Sequence, residues 1–214
     1  MRIPSLWRIT FAVFALGPSV CAAATKPART NVLVVLADDA GWGDFSFVGN
    51  SSVATPAVDS LARDGAVLSQ FCVQPVCSPT RAEFLTGRYH PRSGVRGVSL
   101  GQERMAPDER TLANVFHDAG YSTGCFGKWH NGTQWPYHPR ARGFDTFYGF
   151  TEGHWGDYFD AEMEHDGAFV RGRGYIADDI TDHAIGFIEA ARTNDRPFLR
   201  YVAFNTPHSP MSVP

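Results

Sequence analysis

The sequence predicts an α/β protein with a mostly parallel sheet sandwiched by helices. Three observations carry this expectation. Residues 31–36 (NVLVVL) form a continuous Val-rich aliphatic run, the pattern of a strand covered on both faces. Strand-like and helix-like segments alternate along the chain, which points to crossover connections and a parallel sheet. Polar clusters follow three of the four expected strands, and the carboxyl ends of parallel strands are where such folds collect ligands.

The first strand ends abruptly in Ala37-Asp38-Asp39-Ala40-Gly41, which places two carboxylates at a strand end. Thr55 then caps a helix with Pro56 in its first turn, where a missing N–H costs nothing. Val58, Leu61 and Ala62 are expected to face inward, and Gly65 to end the helix. Residues 66–73 read as a second short strand. Ser78-Pro79 starts a second helix that runs to Leu85 and stops at Gly87. A third spans residues 111–119, with Leu112, Val115 and Phe116 on one face and Gly120 as its stop. Residues 121–126 form a strand running into Gly127-Lys128-Trp129-His130. Residues 136–174 are rich in Gly, aromatics and His without periodicity, and read as long loops. Ile176, Ile180, Ala184 and Ile188 recur at helical spacing within residues 175–191. The last strand, residues 198–204, delivers Asn205-Thr206-Pro207-His208.

The N-terminus has the order of an export signal, expected over residues 1–24: Arg2 and Arg8, an apolar run from Ile9 to Leu16, then Cys21-Ala22-Ala23-Ala24. Gly17 and Pro18 interrupt the apolar run, which is too short for a membrane anchor. A lipidated Cys21 is the alternative, disfavoured by the bulk of Val20. Residues 25–30 follow as a short linker, and the expected location is periplasmic or secreted. A formal charge of −3, with no basic block, gives nucleic acid no electrostatic foothold. Cleavage of the signal leaves Cys72, Cys77 and Cys125, an odd number for an oxidising compartment. If Cys77 is chemically consumed, the other two could pair or stay buried.

The segment Cys77-Ser78-Pro79-Thr80-Arg81 is the most informative. It sets a cysteine at a helix start and an arginine one turn inside, where free N–H groups, the helix dipole and a planar guanidinium all favour an anion. Together with Leu85-Thr86-Gly87 it resembles the Cys-x-Pro-x-Arg signature of the type I, formylglycine-dependent sulfatases of the alkaline phosphatase superfamily. The resemblance extends to three further segments in the family's order: Asp38-Asp39-x-Gly-x-Gly-Asp, Gly127-Lys128-Trp129-His130, and Pro207-His208-x-Pro210. Asn131 stands where an apolar residue is expected, a mild departure.

What the resemblance implies is a sulfuric ester hydrolase in which Cys77 is converted to formylglycine by a formylglycine-generating enzyme. The hydrated aldehyde would attack sulfur, and the geminal diol could then expel sulfate by collapsing back to the aldehyde. Asp38, Asp39 and residue 77 would hold Ca²⁺, a hard cation suited to carboxylate oxygens. Arg81 and Lys128 would contact sulfate, His130 would position the diol or act in sulfate release, and His208 would protonate the leaving oxygen. The substrate would be an aryl or carbohydrate sulfate. His154, Trp155, Asp157 and Tyr158 are candidates for pocket lining.

Residues 31–214 match the N-terminal portion of the family's catalytic domain. Further metal ligands and a sulfate-contacting lysine are expected beyond Pro214, so calcium binding and turnover by these residues are expected to be weak, with some sheet surface left uncovered. A phosphonate monoester or phosphodiester hydrolase of the same superfamily and a non-catalytic secreted relative are alternatives. A redox pair of Cys72 and Cys77 is disfavoured, because their spacing does not fit Cys-x-x-Cys.

Overall fold

A computed structural model describes residues 29–214; the expected signal segment lies outside the described residues, as does most of the linker. Six strands form one sheet: β1 (Val32–Asp38), β2 (Ser122–Lys128), β3 (Thr146–Phe150), β4 (Glu162–His165), β5 (Ala168–Arg171) and β6 (Phe198–Pro207). Their order is β1-β6-β2-β3-β4-β5. The first four in that order pair in parallel, and β4 and β5 add an antiparallel hairpin at the far edge. The last strand therefore inserts between β1 and β2. All three polar clusters leave the sheet side by side at its carboxyl edge.

Helices cover both faces. On one, α2 (Cys77–Thr86) and α3 (Leu112–Asp118) enclose a core in which Ala82 and Leu85 meet Leu199 and Tyr201. On the other, α4 (Ile176–Thr193) buries Ile176, Ile180 and Ala184 against Phe126 and Val202, as its period requires. Gly87 ends α2 in the left-handed region at φ 65°, where a residue without Cβ is favoured.

Several sequence expectations need correction. Among the described residues β1 is a sheet edge and not covered on both faces: Val32, Val34 and Leu36 pack on the core, whereas Leu33 and Val35 are more than half exposed. The aliphatic run reported how apolar the strand is, which says nothing of what covers its second face. The first helix, α1 (Pro56–Asp64), starts after Thr55 and stops at Gly65 as expected, but the Thr55 side chain makes no capping hydrogen bond, the helix buries no residue, and Leu61 is largely exposed. Residues 66–73 form turns and irregular chain rather than a strand. Val115 is exposed, while Leu112 and Phe116 pack on the core. The region read as loops contains β3, β4 and β5. Short strands with little alternation leave no period to detect. Cys125 is buried and Cys72 exposed, both free, so they do not pair here. Among the described residues, no helix is long and apolar enough to cross a membrane.

Candidate functional site

The site is assembled by strand ends. Asp38 is the last residue of β1 and Lys128 the last of β2, while β6 carries Asn205 between them and His208 just beyond. Strand β6 separates β1 from β2, so residues 90 positions apart in sequence come into contact. The Lys128 ammonium donates to the Asp38 carboxylate, and the Arg81 guanidinium lies 3.5 Å from the same oxygen. All three side chains are buried.

Helix α2 brings in Cys77 and Arg81. Its N-cap is Val76, in extended conformation and without a side-chain cap, so the helix starts at Cys77 itself, one residue before the expected Ser78 cap. The first-turn N–H groups are thus left without a capping side chain. Arg81 donates to the Lys128 carbonyl at 2.7 Å, which fixes the guanidinium against the end of β2. Its Nε and Nη2 are buried and make no hydrogen bond. Asp38, Asp39, Cys77 and Arg81 line one cleft of about 490 Å³. A narrower crevice on the other side of Asp38 is lined by Lys128, His154, Trp155, Tyr158, Asn205 and His208. Asp157 is exposed and takes no part in that lining.

Asp39 adopts a left-handed backbone at φ 66° and is largely exposed, facing His208 Nε2 at 3.7 Å. His130 follows β2, also left-handed at φ 60°. Its Nε2 lies 2.8 Å from the Val98 carbonyl, an atom that only accepts, so Nε2 carries the ring proton. The Nδ1 lone pair is left buried and unpartnered. Burial pushes the His130 pKa down to about 4; the neighbouring cations Lys128 and Arg81 act in the same direction, and the Val98 bond and Asp38 oppose. The ring is held at close quarters: a Cβ on Gly153 would lie 2.1 Å from Nε2. Tyr158 anchors the opposite wall, its hydroxyl donating to the His208 carbonyl at 2.6 Å.

Every residue named from sequence as catalytic or metal-binding lies at this carboxyl edge. Asp38 and Asp39 offer hard carboxylate oxygens beside residue 77, a donor set that fits Ca²⁺ in kind. In number it falls short of the usual six to eight oxygens. Among the described residues no group of three His, Cys, Asp or Glu side chains is gathered as a metal site.

Two features were not foreseen. Asn131, the departure from the family pattern, is fully buried, and its Nδ2 donates to Ser78 Oγ at 3.0 Å and to the Ser78 carbonyl at 3.2 Å. It thereby ties the chain after β2 to the start of α2, next to Cys77. Asn131→Leu should lower unfolding free energy by about 1–3 kcal/mol, because it strands buried acceptors. Urea denaturation measures this, and a loss below about 0.5 kcal/mol would show that the link is dispensable. The second feature is Asn205, buried with both amide atoms unpartnered. Its place after a strand was visible in sequence, but nothing there marked it from an ordinary turn residue.

The sequence profile of the sulfatase family matches residues 30–214. The N-acetylgalactosamine-6-sulfatase of Canis lupus familiaris is 31% identical over 96% of this chain and 44% of its own length. A crystal structure of Ps i-CgsB in complex with k-i-k-neocarrahexaose superposes with a TM-score of 0.81 at 30% identity, covering 87% of this chain and 47% of that one. The structure of BT4656 in complex with its substrate D-glucosamine-2-N,6-O-disulfate gives 0.73 at 29% identity, over 85% of this chain and 35% of that one. The fold is thus that of an α/β protein of alkaline phosphatase-like architecture. The chain belongs to the sulfatase family. It spans less than half the length of these relatives.

Proposed function

We propose that this chain serves hydrolysis of sulfate esters, with residue 77 converted from cysteine to formylglycine. The observation that carries the reading is the buried charge at the cleft: two cations, Arg81 and Lys128, stand against one carboxylate, Asp38. Unbalanced buried charge is costly unless a counter-ion completes it. Arg81 Nε and Nη2 make no hydrogen bond, with Nη2 3.5 Å from Asp38, in a cleft shared with Cys77, so an anion bound there accepts from the guanidinium beside the converted residue.

The formylglycine diol supplies the nucleophile for sulfur. Asp38, Asp39 and residue 77 would hold calcium, whose charge would polarise the sulfate. The remaining roles belong to the chain's own side chains. Arg81 and Lys128 orient the sulfate oxygens and offset their charge. His130, neutral and with Nδ1 free to accept, takes a proton from the hydroxyl at residue 77. His208 gives a proton to the departing oxygen. Asp39 Oδ2 lies 3.7 Å from His208 Nε2.

A sulfated sugar is the favoured substrate class, with aryl sulfate as a convenient probe. Support comes from relatives named for a sulfated amino sugar or seen with one. Maturation requires a formylglycine-generating enzyme, and the chain is placed as exported, periplasmic or secreted.

The test is mass spectrometry of the tryptic peptide spanning residues 64–81 after co-expression with that enzyme. An aldehyde at residue 77, trapped by a hydrazide, is the expected result, together with slow release of sulfate from an aryl sulfate. An intact Cys77 under conditions that convert a control sulfatase would overturn the proposal. A higher rate on a phosphonate ester than on the aryl sulfate would overturn the assignment of substrate class.

A further inference from the structure

We propose that Asn205 is an anion-binding residue of this site, its Nδ2–H donating to an oxygen of the bound sulfate in the crevice shared with Lys128 and His208. The inference rests on the sulfatase reading above, and it adds a neutral donor to the two cations.

Asn205 is 3% exposed and lies near the end of β6, the strand flanked by both β1 and β2. Its Oδ1 and its Nδ2 are buried, and neither makes a hydrogen bond. A buried carboxamide with no partner at either end carries an uncompensated desolvation cost at each. Of the other polar groups lining the crevice, the Asp38 carboxylate receives Lys128 and the Tyr158 hydroxyl donates to the His208 carbonyl, while Trp155 Nε1 is also unpartnered. The Asn205 amide leaves both a donor and an acceptor unmet, in a crevice that it shares with Asp38, Lys128 and His208.

The chemistry of the missing partner follows from those neighbours. A ligand drawn to Arg81 and Lys128 is an anion, and sulfate oxygens only accept hydrogen bonds. Asn205 can offer them two N–H groups without adding charge. A tetrahedral oxyanion can accept from a neutral donor as well as from two cations. Asn205 adds a donor on the side lined by Lys128 and His208, whereas Cys77 and Arg81 line the neighbouring cleft.

Titration calorimetry of inorganic sulfate into the unconverted chain tests this, comparing the parent with Asn205→Leu and Asn205→Asp. Asn205→Leu keeps the bulk and removes the donor. It should weaken sulfate binding about 10- to 100-fold while leaving the melting temperature unchanged or raised, since a buried unmet polar group is removed. Asn205→Asp keeps the shape and replaces the donor with a negative acceptor, so binding should weaken further. Parent-like affinity in either variant, or a lower melting temperature with affinity retained, would overturn the proposal and mark Asn205 as structural. Absence of sulfate binding by the parent itself would instead bring down the anion-site reading, and this inference with it.

Discussion

Replacing Asp38 with alanine is expected to lower the free energy of unfolding by about 3–5 kcal/mol, the cost of stranding buried charge. Asp38 sits at the end of β1 with a buried side chain; the Lys128 ammonium donates to it, and Arg81 lies 3.5 Å away. Removing the carboxylate leaves two cations facing each other out of water with nothing to offset either. The exposed pair of Arg63 and Asp64 provides the internal comparison, since both of its side chains are 68% exposed. Breaking that pair should cost about 1 kcal/mol or less. Added salt should erase the smaller effect and leave the larger one nearly intact, because screening acts poorly on buried charges. Combining Asp38→Ala with Lys128→Met should recover part of the loss by removing one of the stranded cations. Urea unfolding of the four proteins measures all of this. A loss below about 1 kcal/mol for Asp38→Ala would mean that water reaches Lys128 and Arg81.

What the sequence made legible was local. Caps and stops at Thr55, Gly65, Gly87 and Gly120 placed helix ends to within a residue or so, because they depend on backbone chemistry next to the element. The period in α4 picked out Ile176, Ile180, Ala184 and Ile188; the first three are buried and Ile188 is half-buried. Inward-facing assignments failed where nothing packs on the apolar side, as at Leu33, Val35 and Leu61. Periodicity reports a face that could be covered; the covering element is a non-local fact. The hairpin of β4 and β5 was missed for a related reason. Four-residue strands such as Glu162–His165 are held mainly by cross-strand bonding, which leaves little trace in composition. The site shows the same division. Cys77, Arg81 and the other motif residues were found through their resemblance to a family, residue type by residue type. The convergence of β1, β6 and β2 at one edge, the bond from Arg81 to the Lys128 carbonyl, and the unmet amide of Asn205 depend on strand order. Strand order cannot be read from any one segment.

His130 gives the second large effect, one that appears only as pH falls. Burial holds its pKa at about 4 in the folded chain, against an ordinary value of 6.5. Between those values the unfolded chain carries a proton on this ring and the folded chain does not. Stability therefore rises with pH across the window from 4 to 6.5 and falls as acid is added. The full difference of about 2.5 pH units corresponds to about 3 kcal/mol, reached below the folded pKa; from pH 7 to about pH 5 the loss is about 2 kcal/mol. Measuring unfolding in urea at both pH values, for the parent and for His130→Gln, separates this group from the other titrating side chains. Glutamine carries no titrating ring, so its stability difference between the two pH values should be smaller by that amount. Equal slopes would show that the ring takes up its proton in the folded chain as readily as in the unfolded one, and His130 could not then be the neutral acceptor beside residue 77. The expected slope would tie the desolvation of this ring, packed against Gly153 and bonded to the Val98 carbonyl, to its capacity to stay neutral with Nδ1 open near two cations.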